Sequence, residues 1–283
     1  MIISVASGKG GTGKTTIATN LALSLKNCQY VDCDVEEPNG YIFLRPQIQE
    51  SKTVYLPVPH VHLEKCSFCG KCAEFCQFNA LAVAKENILI FPELCHGCGG
   101  CMVICPNSAI TEENRSIGVV EKGKASHLEF VQGKLNIGEP MATPVVRAVK
   151  DEIDEEKIAI LDASPGTGCP VIETISGSDY CLLITEPTPF GLYDLQLAVE
   201  VMRNLRIPFG IIVNRWGEGD SQLEDYCLKE NIPILLKIPF SRDIAMLYSK
   251  GIPLVQAHPH WKANFLKLFE GIEERLGEAT HHH

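Results

Sequence analysis

Eight cysteines between positions 66 and 105 constrain this 283-residue chain more than any other feature. They form two runs of one spacing: two residues separate neighbours among the first three cysteines, and three residues precede the fourth. This spacing is typical of two [4Fe–4S] clusters, and the fourth cysteine of each run then ligates the cluster of the other run. The pattern predicts Cys66, Cys69, Cys72 and Cys105 on cluster 1, and Cys95, Cys98, Cys101 and Cys76 on cluster 2.

Paired cysteines two residues apart also bind Zn²⁺, so a zinc ribbon is the alternative. Two complete runs, with Pro106 directly after the last cysteine, favour iron–sulfur clusters over zinc. Gln77 stands where a proline would follow the first run, which we expect to change the solvent exposure of a cluster without removing a ligand. Four other cysteines lie in apolar contexts and are predicted to be small core residues: Cys28, Cys33, Cys181 and Cys227.

A glycine-rich segment near the N-terminus, Gly8-x-x-x-x-Gly13-Lys14-Thr15, fits the Walker A pattern. A predicted strand, Ile2–Ala6, precedes it, and the following residues have apolar side chains at helical spacing. Backbone N–H groups at such a helix N-terminus cradle phosphate, while Lys14 would reach the β- and γ-phosphates and Thr15 would hold Mg²⁺. A glycine-rich turn without a ligand is the alternative. The predicted ATP or ADP contacts here are Gly10, Gly11, Thr12, Gly13, Lys14, Thr15 and Thr16.

The composition, 45% hydrophobic and 21% charged, is ordinary for a globular protein. The formal net charge of −10 argues against a nucleic-acid partner, because phosphate backbones are bound by basic surfaces. We find no secretory leader and no apolar stretch of the roughly 20 residues that a membrane span needs. The cysteine spacing then indicates metal ligands in a reducing cytoplasm rather than disulfides. His281, His282 and His283 are interpreted as the remnant of an affinity tag.

The glycine-rich segment contains an additional lysine, Lys9, which distinguishes one group of P-loop proteins from the others. With it the chain resembles the MinD/Mrp/ParA group of deviant-Walker P-loop ATPases, which includes the nitrogenase iron protein. The resemblance implies that Lys9 reaches the nucleotide of the facing subunit in an ATP-sandwiched dimer. Residues 30–39 resemble the second strand and switch I of that group, and Asp34 would position the attacking water or the Mg²⁺ shell.

Two further stretches carry the same resemblance. Residues 158–168 are similar to Walker B followed by switch II, in which Asp162 belongs to the second shell of the metal and the glycines allow movement with the γ-phosphate. Asn214 matches the asparagine that hydrogen-bonds adenine, and Pro239 lies in the loop that follows and contacts the base. The resemblance therefore implies a hydrolytic site with catalytic roles for Lys9, Lys14, Asp34 and Asp162.

The resemblance covers nearly the whole chain and is strongest to the subgroup of MinD-type ATPases with an inserted ferredoxin domain. It implies an α/β P-loop NTPase with a mostly parallel sheet and a small inserted α+β domain of the bacterial ferredoxin type. The expected division is 1–56 and 115–278 for the ATPase, 57–114 for the insert and 279–283 for the tail. Residues 41–59 are read as a strand and an entry linker, and Pro57, Pro59 and Gly118 leave a flexible tether as an alternative.

Three functions remain open at this point. The first is an ATP-gated redox enzyme, a homodimer or a heterodimer with a related ATPase, whose clusters pass electrons to a client protein or a nascent metal cofactor. The second is an assembly scaffold or chaperone whose clusters do not cycle between oxidation states. The third is a nucleotide-dependent positioning protein of the ParA or MinD type, against which the acidic charge and the insert both count.

Two smaller features carry alternatives of their own. Cys169 lies in the predicted switch II, near the position of a cluster ligand in the nitrogenase iron protein, so a third cluster shared between subunits is an open hypothesis. The last predicted helix has an apolar face formed by Trp261, Phe265, Leu268, Phe269, Ile272 and Leu276. We expect this face to pack on the core rather than on a membrane, because its polar face carries glutamates that anionic lipid would repel.

Overall fold

A nine-stranded β-sheet and a separate two-stranded sheet make up the β-structure of the computed structural model, which describes residues 1–217 and 221–280. The order in the large sheet is β11-β10-β9-β1-β8-β2-β7-β6-β3, and β4 pairs with β5. The strands are β1 (Ile2–Ala6), β2 (Cys28–Asp32), β3 (Gln47–Val61), β4 (Leu81–Ala84), β5 (Asn87–Ile90), β6 (Ile110–Ala125), β7 (Leu128–Leu135), β8 (Ile158–Asp162), β9 (Tyr180–Thr185), β10 (Phe209–Trp216) and β11 (Ile234–Pro239).

Helices cover both faces of the large sheet. They are α1 (Lys14–Ser24), α2 (Gly40–Leu44), α3 (Lys71–Phe75), α4 (Gly100–Ile104), α5 (Thr143–Lys150), α6 (Cys169–Ile175), α7 (Pro189–Leu205), α8 (Ser221–Lys229), α9 (Arg242–Ser249), α10 (Leu254–Ala257) and α11 (Pro259–Thr280). The described helices include none that is long and apolar enough to cross a membrane.

Strands β11 to β7 in that order are parallel, whereas β6 and β3 are antiparallel at one edge. The central strands are buried along almost their whole length because both of their faces are covered, as is typical of a parallel sheet with crossover helices. The predicted α/β fold with a mostly parallel sheet is confirmed. The predicted apolar runs near positions 158, 180, 209 and 234 are β8 to β11.

The last helix, α11, packs its apolar face on the core, as expected. Trp261, Phe265 and Ile272 are buried there together with residues of α1 and the central strands. The four cysteines predicted to be core residues are also buried. His281–His283 lie outside the described residues.

The segment predicted as a strand and entry linker differs from the expectation. A short helix, α2, occupies residues 40–44, and β3 then runs without interruption to Val61, paired with β6 along its length. Pro57 and Pro59 fit within β3 because it is an edge strand, where a missing N–H breaks no second ladder. Gly118 lies in β6 opposite Val54, so these residues belong to paired strands and not to a flexible tether.

Residues 62–109, between β3 and β6, form a lobe that we call the cysteine lobe. It contains two similar units: a 3₁₀ turn (Leu63–Lys65 or Pro92–Leu94), a left-handed glycine (Gly70 or Gly99) and a short helix (α3 or α4). The predicted hairpin β4–β5 lies between them, with Lys85 in its turn. The lobe has its own small apolar cluster.

The register of the edge strands decides where this lobe lies. Gly118 of β6 pairs with Leu135, the last residue of β7, and Val54 of β3 pairs with Gly118. Residues 55–61 and 110–117 therefore continue as a hairpin beyond the carboxyl end of β7. Because β7 is parallel to β2 and β8, the hairpin projects from the carboxyl edge of the sheet, the edge at which open α/β sheets bind ligands.

Candidate nucleotide site and cysteine cavities

The glycine-rich segment joins β1 to α1 and is held on two sides by close backbone approach. A Cβ atom on Gly8 would lie 2.3 Å from the carbonyl oxygen of Asp194 in α7. Gly13 has a φ of 96°, and a Cβ there would lie 2.5 Å from Asn214 Nδ2. Glycine is therefore required at both positions, and α1 begins at the next residue with its N–H groups directed toward the segment.

A cavity of about 340 Å³ lies in front of this segment. Its lining contains predicted site residues from four parts of the chain: Gly10, Gly11, Gly13, Lys14, Thr15, Thr16, Asp34, Asn214 and Pro239. Thr12 lies behind the lining with its side chain buried, and its carbonyl accepts a 2.8 Å hydrogen bond from Asn214 Nδ2. Asn214 thus holds the phosphate segment in addition to facing the cavity.

Lys9 and Asp162 do not line the cavity. The carbonyl of Lys9 accepts a 2.6 Å hydrogen bond from Ser7 Oγ, and the residue is half-buried. Asp162 is fully buried at the end of β8. Burial raises the pKa of Asp162. The nearby Lys14 and Thr15 act in the opposite direction with a smaller effect.

An apolar wall closes one side of the cavity and is formed by Phe240, in the loop that was expected to contact the base, and by helix α9, which the sequence analysis missed. Ile244, Ala245 and Tyr248 line this wall, and Ser241 caps the helix by accepting a hydrogen bond from the N–H of Ile244. The sequence does contain the signal for helix α9, which is a serine followed by apolar residues at helical spacing. Such a wall next to Asn214 and Pro239 fits a flat, apolar base with one polar edge.

Three acidic side chains lie at the carboxyl ends of β2 and β8, and two of them, Asp34 and Asp162, lie close to Lys14. Asp32, which the sequence analysis did not single out, is fully buried and accepts hydrogen bonds from the N–H groups of Asp34 (3.1 Å) and Gly40 (2.9 Å). These two bonds fix the course of the chain from Asp34 to Gly40, most of which was predicted to be switch I. Burial raises the pKa of Asp34 to about 6, while the charge of Lys14 acts in the opposite direction.

Tyr30 is a second residue that the sequence did not reveal. Its hydroxyl donates a 2.9 Å hydrogen bond to Oδ2 of Asp162, and both side chains are fully buried. Oδ1 of Asp162 is buried without a partner among the described residues. A buried carboxylate oxygen with one free acceptor, near the Thr15 hydroxyl and the Asp34 carboxylate, fits the oxygen ligands and bound waters that Mg²⁺ prefers.

The eight cysteines of the lobe divide between two cavities. The cavity that we call proximal is lined by Cys76, Cys95, Cys98 and Cys101 together with Pro57 and Pro59 of β3. The distal cavity is lined by Cys66, Cys69, Cys72 and Cys105. Each set of four combines three cysteines of one run with the fourth cysteine of the other.

Backbone hydrogen bonds to sulfur repeat in the two units. The first cysteine of each run accepts from the N–H two residues later: Phe68 to Cys66 and Gly97 to Cys95, both at 3.4 Å. The fourth cysteine accepts from the N–H four residues later: Ala80 to Cys76 at 3.4 Å and Ala109 to Cys105 at 3.3 Å. Such N–H groups stabilise thiolate sulfur and influence the potential of a bound cluster.

Each cavity offers four thiols, which is the number of ligands that a [4Fe–4S] cluster takes and also the number in a tetrahedral Zn²⁺ site. A tetrahedral Zn²⁺ site needs four sulfurs at about 2.3 Å from one point. In residues 1–217 and 221–280, no three Cys, His, Asp or Glu side chains converge in a way that would hold one metal ion. In each set the four thiols line one cavity, as the sequence predicts for a [4Fe–4S] cluster.

Cys169 is exposed and is the first residue of α6. Its interpretation as a ligand shared between two subunits concerns a second chain and stays a prediction.

Comparisons with known proteins agree with this geometry. The family model described as the CobQ/CobB/MinD/ParA nucleotide binding domain matches residues 3–254. An uncharacterised protein of Methanocaldococcus jannaschii is 33% identical over 258 residues, which cover 89% of this chain and 90% of the relative. An iron–sulfur cluster carrier protein of Pyrococcus horikoshii is 24% identical, with 98% of this chain and 86% of the carrier covered.

Among solved structures, the septum site-determining protein MinD of Pyrococcus horikoshii, in complex with Mg-ADP, has the same fold. The TM-score is 0.59 at 19% sequence identity, with 98% of this chain and 97% of that chain covered. The family model spans most of the chain, and a relative above 30% identity spans about nine-tenths of it. The chain therefore belongs to the CobQ/CobB/MinD/ParA family of nucleotide-binding proteins, as an ATPase of the MinD/ParA type.

Proposed function

We propose that this protein is an iron–sulfur ATPase in which ATP-dependent closure of a dimer controls electron transfer from two [4Fe–4S] clusters. The recipient is a client protein or a metal cofactor under assembly on it. One observation carries the proposal: the eight lobe cysteines divide four and four between two cavities, in the crossed arrangement of a two-cluster ferredoxin. The lobe that carries them projects from the same edge of the sheet as the nucleotide cavity.

At the nucleotide end, Lys14 neutralises the β- and γ-phosphates, and the N–H groups of Gly10 to Thr16 hold the phosphate oxygens. Thr15 would coordinate Mg²⁺ directly, and Asp162 would accept hydrogen bonds from its waters. Asp34 would orient the water that attacks the γ-phosphorus. A raised pKa suits this role, because a carboxyl that is partly protonated near neutrality becomes fully ionised when a cation arrives beside it.

A partner subunit is proposed because of the exposed surface beside the phosphate segment. Phe190 and Tyr193 of α7 are 78% and 61% exposed, and Leu197 follows on the same side of the helix. Asp194, which lies between Tyr193 and Leu197 in α7, contacts Gly8. An apolar surface of this kind next to the nucleotide fits a second ATPase subunit, identical or related, whose Lys9 would reach across the interface.

At the lobe, we assign residues 57–114 to an inserted ferredoxin-type domain, with cluster 1 in the distal cavity and cluster 2 in the proximal cavity. A bound [4Fe–4S] cluster supplies one-electron transfer at low potential. The protein holds the thiolates, donates N–H groups to four of the sulfurs and shields the cavities with apolar side chains. We propose a cytoplasmic location, because reduced thiols persist there, and no nucleic-acid partner.

Cluster assembly without redox cycling is the second candidate, and the names of several relatives favour it, since they are iron–sulfur cluster carrier proteins. Each cavity has one exposed cysteine, Cys98 in the proximal cavity and Cys69 in the distal one, so the enclosure of the thiols does not decide between the two candidates. Cys227 stands alone near the C-terminal end of the ATPase and is buried, so it offers no carrier site there. A ParA- or MinD-like positioning role would leave the cysteine lobe without a purpose.

Anaerobic iron and sulfide analysis combined with EPR of the dithionite-reduced protein tests the proposal. We expect about eight iron atoms per chain and a spectrum of two interacting [4Fe–4S] clusters. About four iron atoms, or zinc in place of iron, would refute the two-cluster assignment. A spectrum and cluster reduction that are the same with and without ATP and Mg²⁺ would favour the assembly candidate over the redox one.

A further inference from the structure

Arg115 lies at the base of the cysteine lobe, where the hairpin leaves the sheet. In the register of β3 and β6 it stands directly opposite Leu56, so the two side chains are on one face of the hairpin. Leu56 reaches the second cysteine run, because a Cβ atom on Gly97 would lie 2.9 Å from its Cδ1. Arg115 therefore lies on the face of the hairpin that contacts the segment carrying Cys95, just outside the lining of the proximal cavity.

The guanidinium of Arg115 is held in place by a buried carboxylate. Its two terminal nitrogens donate to the two oxygens of Glu139, and the side chains are 22% and 3% exposed, respectively. The Nε atom is buried and has no hydrogen-bond partner among the described residues. A buried N–H without an acceptor is costly, so this guanidinium has one hydrogen bond left to donate.

Other charges near the two cavities are more exposed. Glu112 lines the proximal cavity and Lys71 lines the distal one, and both side chains are on the surface. Water and salt screen exposed charges strongly, whereas a largely buried charge is screened much less.

We propose that Arg115 raises the reduction potential of the cluster in the proximal cavity above that of the cluster in the distal cavity. A nearby positive charge stabilises the reduced form of a cluster, which carries one more electron than the oxidised form. In the one-electron-reduced protein the electron would then lie on the cluster nearer the ATPase. The inference rests on the proposed function only in that both cavities must hold clusters.

Redox titration followed by EPR tests this inference in the full-length protein. Cys98→Ser first identifies the signal of the proximal cluster, because it changes one ligand of that cluster alone. In Arg115→Gln we expect the oxidised-to-reduced ratio of that cluster at a fixed potential to rise at least tenfold, which is 59 mV for one electron. The distal cluster should move much less. Arg115→Lys, which keeps the charge, should retain most of the wild-type value.

Two further variants complete the test. Lys124→Gln removes the same charge from an exposed position at the other end of β6 and should move neither cluster. Arg115→Gln combined with Glu139→Gln removes the ion pair as a unit and serves if the single variant does not fold; here we expect a smaller fall of the proximal potential.

The outcomes separate the two proposals. A wild-type protein that binds no iron would overturn the proposed function and this inference together. Two clusters in the wild type, with unchanged midpoints in Arg115→Gln or with equal shifts of both, would overturn the inference alone.

Discussion

Replacing Asp34 by Asn should stabilise the nucleotide-free protein and stop ATP hydrolysis. Burial raises the pKa of Asp34 from 3.8 to about 6. The folded protein therefore holds a proton that the unfolded chain releases between about pH 4 and pH 6, and its stability falls as the pH rises through that window. A shift of about 2 units at 1.36 kcal/mol per unit corresponds to roughly 3 kcal/mol at pH 7.5. Asn avoids this cost because it does not ionise.

Thermal unfolding of the nucleotide-free, cluster-loaded protein between pH 5 and pH 8 measures the effect. We expect Asp34→Asn to raise the Tm by several degrees at pH 7.5, with a smaller gain at pH 5. Glu36→Gln, an exposed neighbour with the same charge change, is the control and should change the Tm little. Equal Tm values for wild type and Asp34→Asn at pH 7.5, or a gain that grows toward low pH, would refute the reasoning.

Three other predictions concern the same sites. Lys14→Ala should abolish nucleotide binding in a calorimetric titration, whereas Lys9→Ala should retain binding and lose dimer formation and hydrolysis; wild-type hydrolysis by the Lys9 variant would contradict its role across the interface. Cys76→Ala should damage the cluster of the proximal cavity, because the fourth cysteine crosses over, and loss of the distal cluster alone in EPR would show that the assignment is wrong. Tyr30→Phe should lower the free energy of unfolding by about 1.5–3 kcal/mol, since it removes a hydrogen bond to a buried carboxylate, and unchanged urea denaturation would argue against a role of Tyr30 in holding Asp162.

The sequence predicted those features that depend on local spacing. The phosphate segment is a β–α turn whose glycines require particular backbone angles, so its residues identify it without tertiary information. The parallel strands were predictable because each is a short apolar run between helical segments. The crossed grouping of the cysteines follows from the spacing of two runs that fold as similar units.

Features that depend on long-range pairing were not predictable. Strand β3 was divided into a strand and a linker because Pro57 and Pro59 usually end a strand, and only its place at the sheet edge permits them. The direction of the hairpin depends on its register with β7. The contacts of Tyr30 and Asp32 join residues that an apolar strand pattern describes only as buried.

The fold provides a route by which nucleotide binding could be coupled to the reduction of the proposed clusters. Val35, next to Asp34, belongs to one buried cluster with Leu56, and Leu56 contacts Gly97, whose N–H donates to Cys95. A change in switch I that displaces these buried apolar side chains would therefore move Leu56 against the segment that lines the proximal cavity. Coupling requires that the affinity for nucleotide differ between the oxidised and the reduced protein. By linkage, nucleotide binding then changes the free energy of cluster reduction by the same amount.

The most direct test is the midpoint potential of each cluster in the nucleotide-free protein, with Mg-ADP and with Mg²⁺ and a non-hydrolysable ATP analogue. We expect the ATP analogue to shift the midpoint potential of the cluster in the proximal cavity relative to the nucleotide-free and ADP states. The midpoint potential of the distal cluster should shift less. Identical potentials in all three states, together with an ATPase rate that does not respond to cluster reduction, would contradict the proposed coupling.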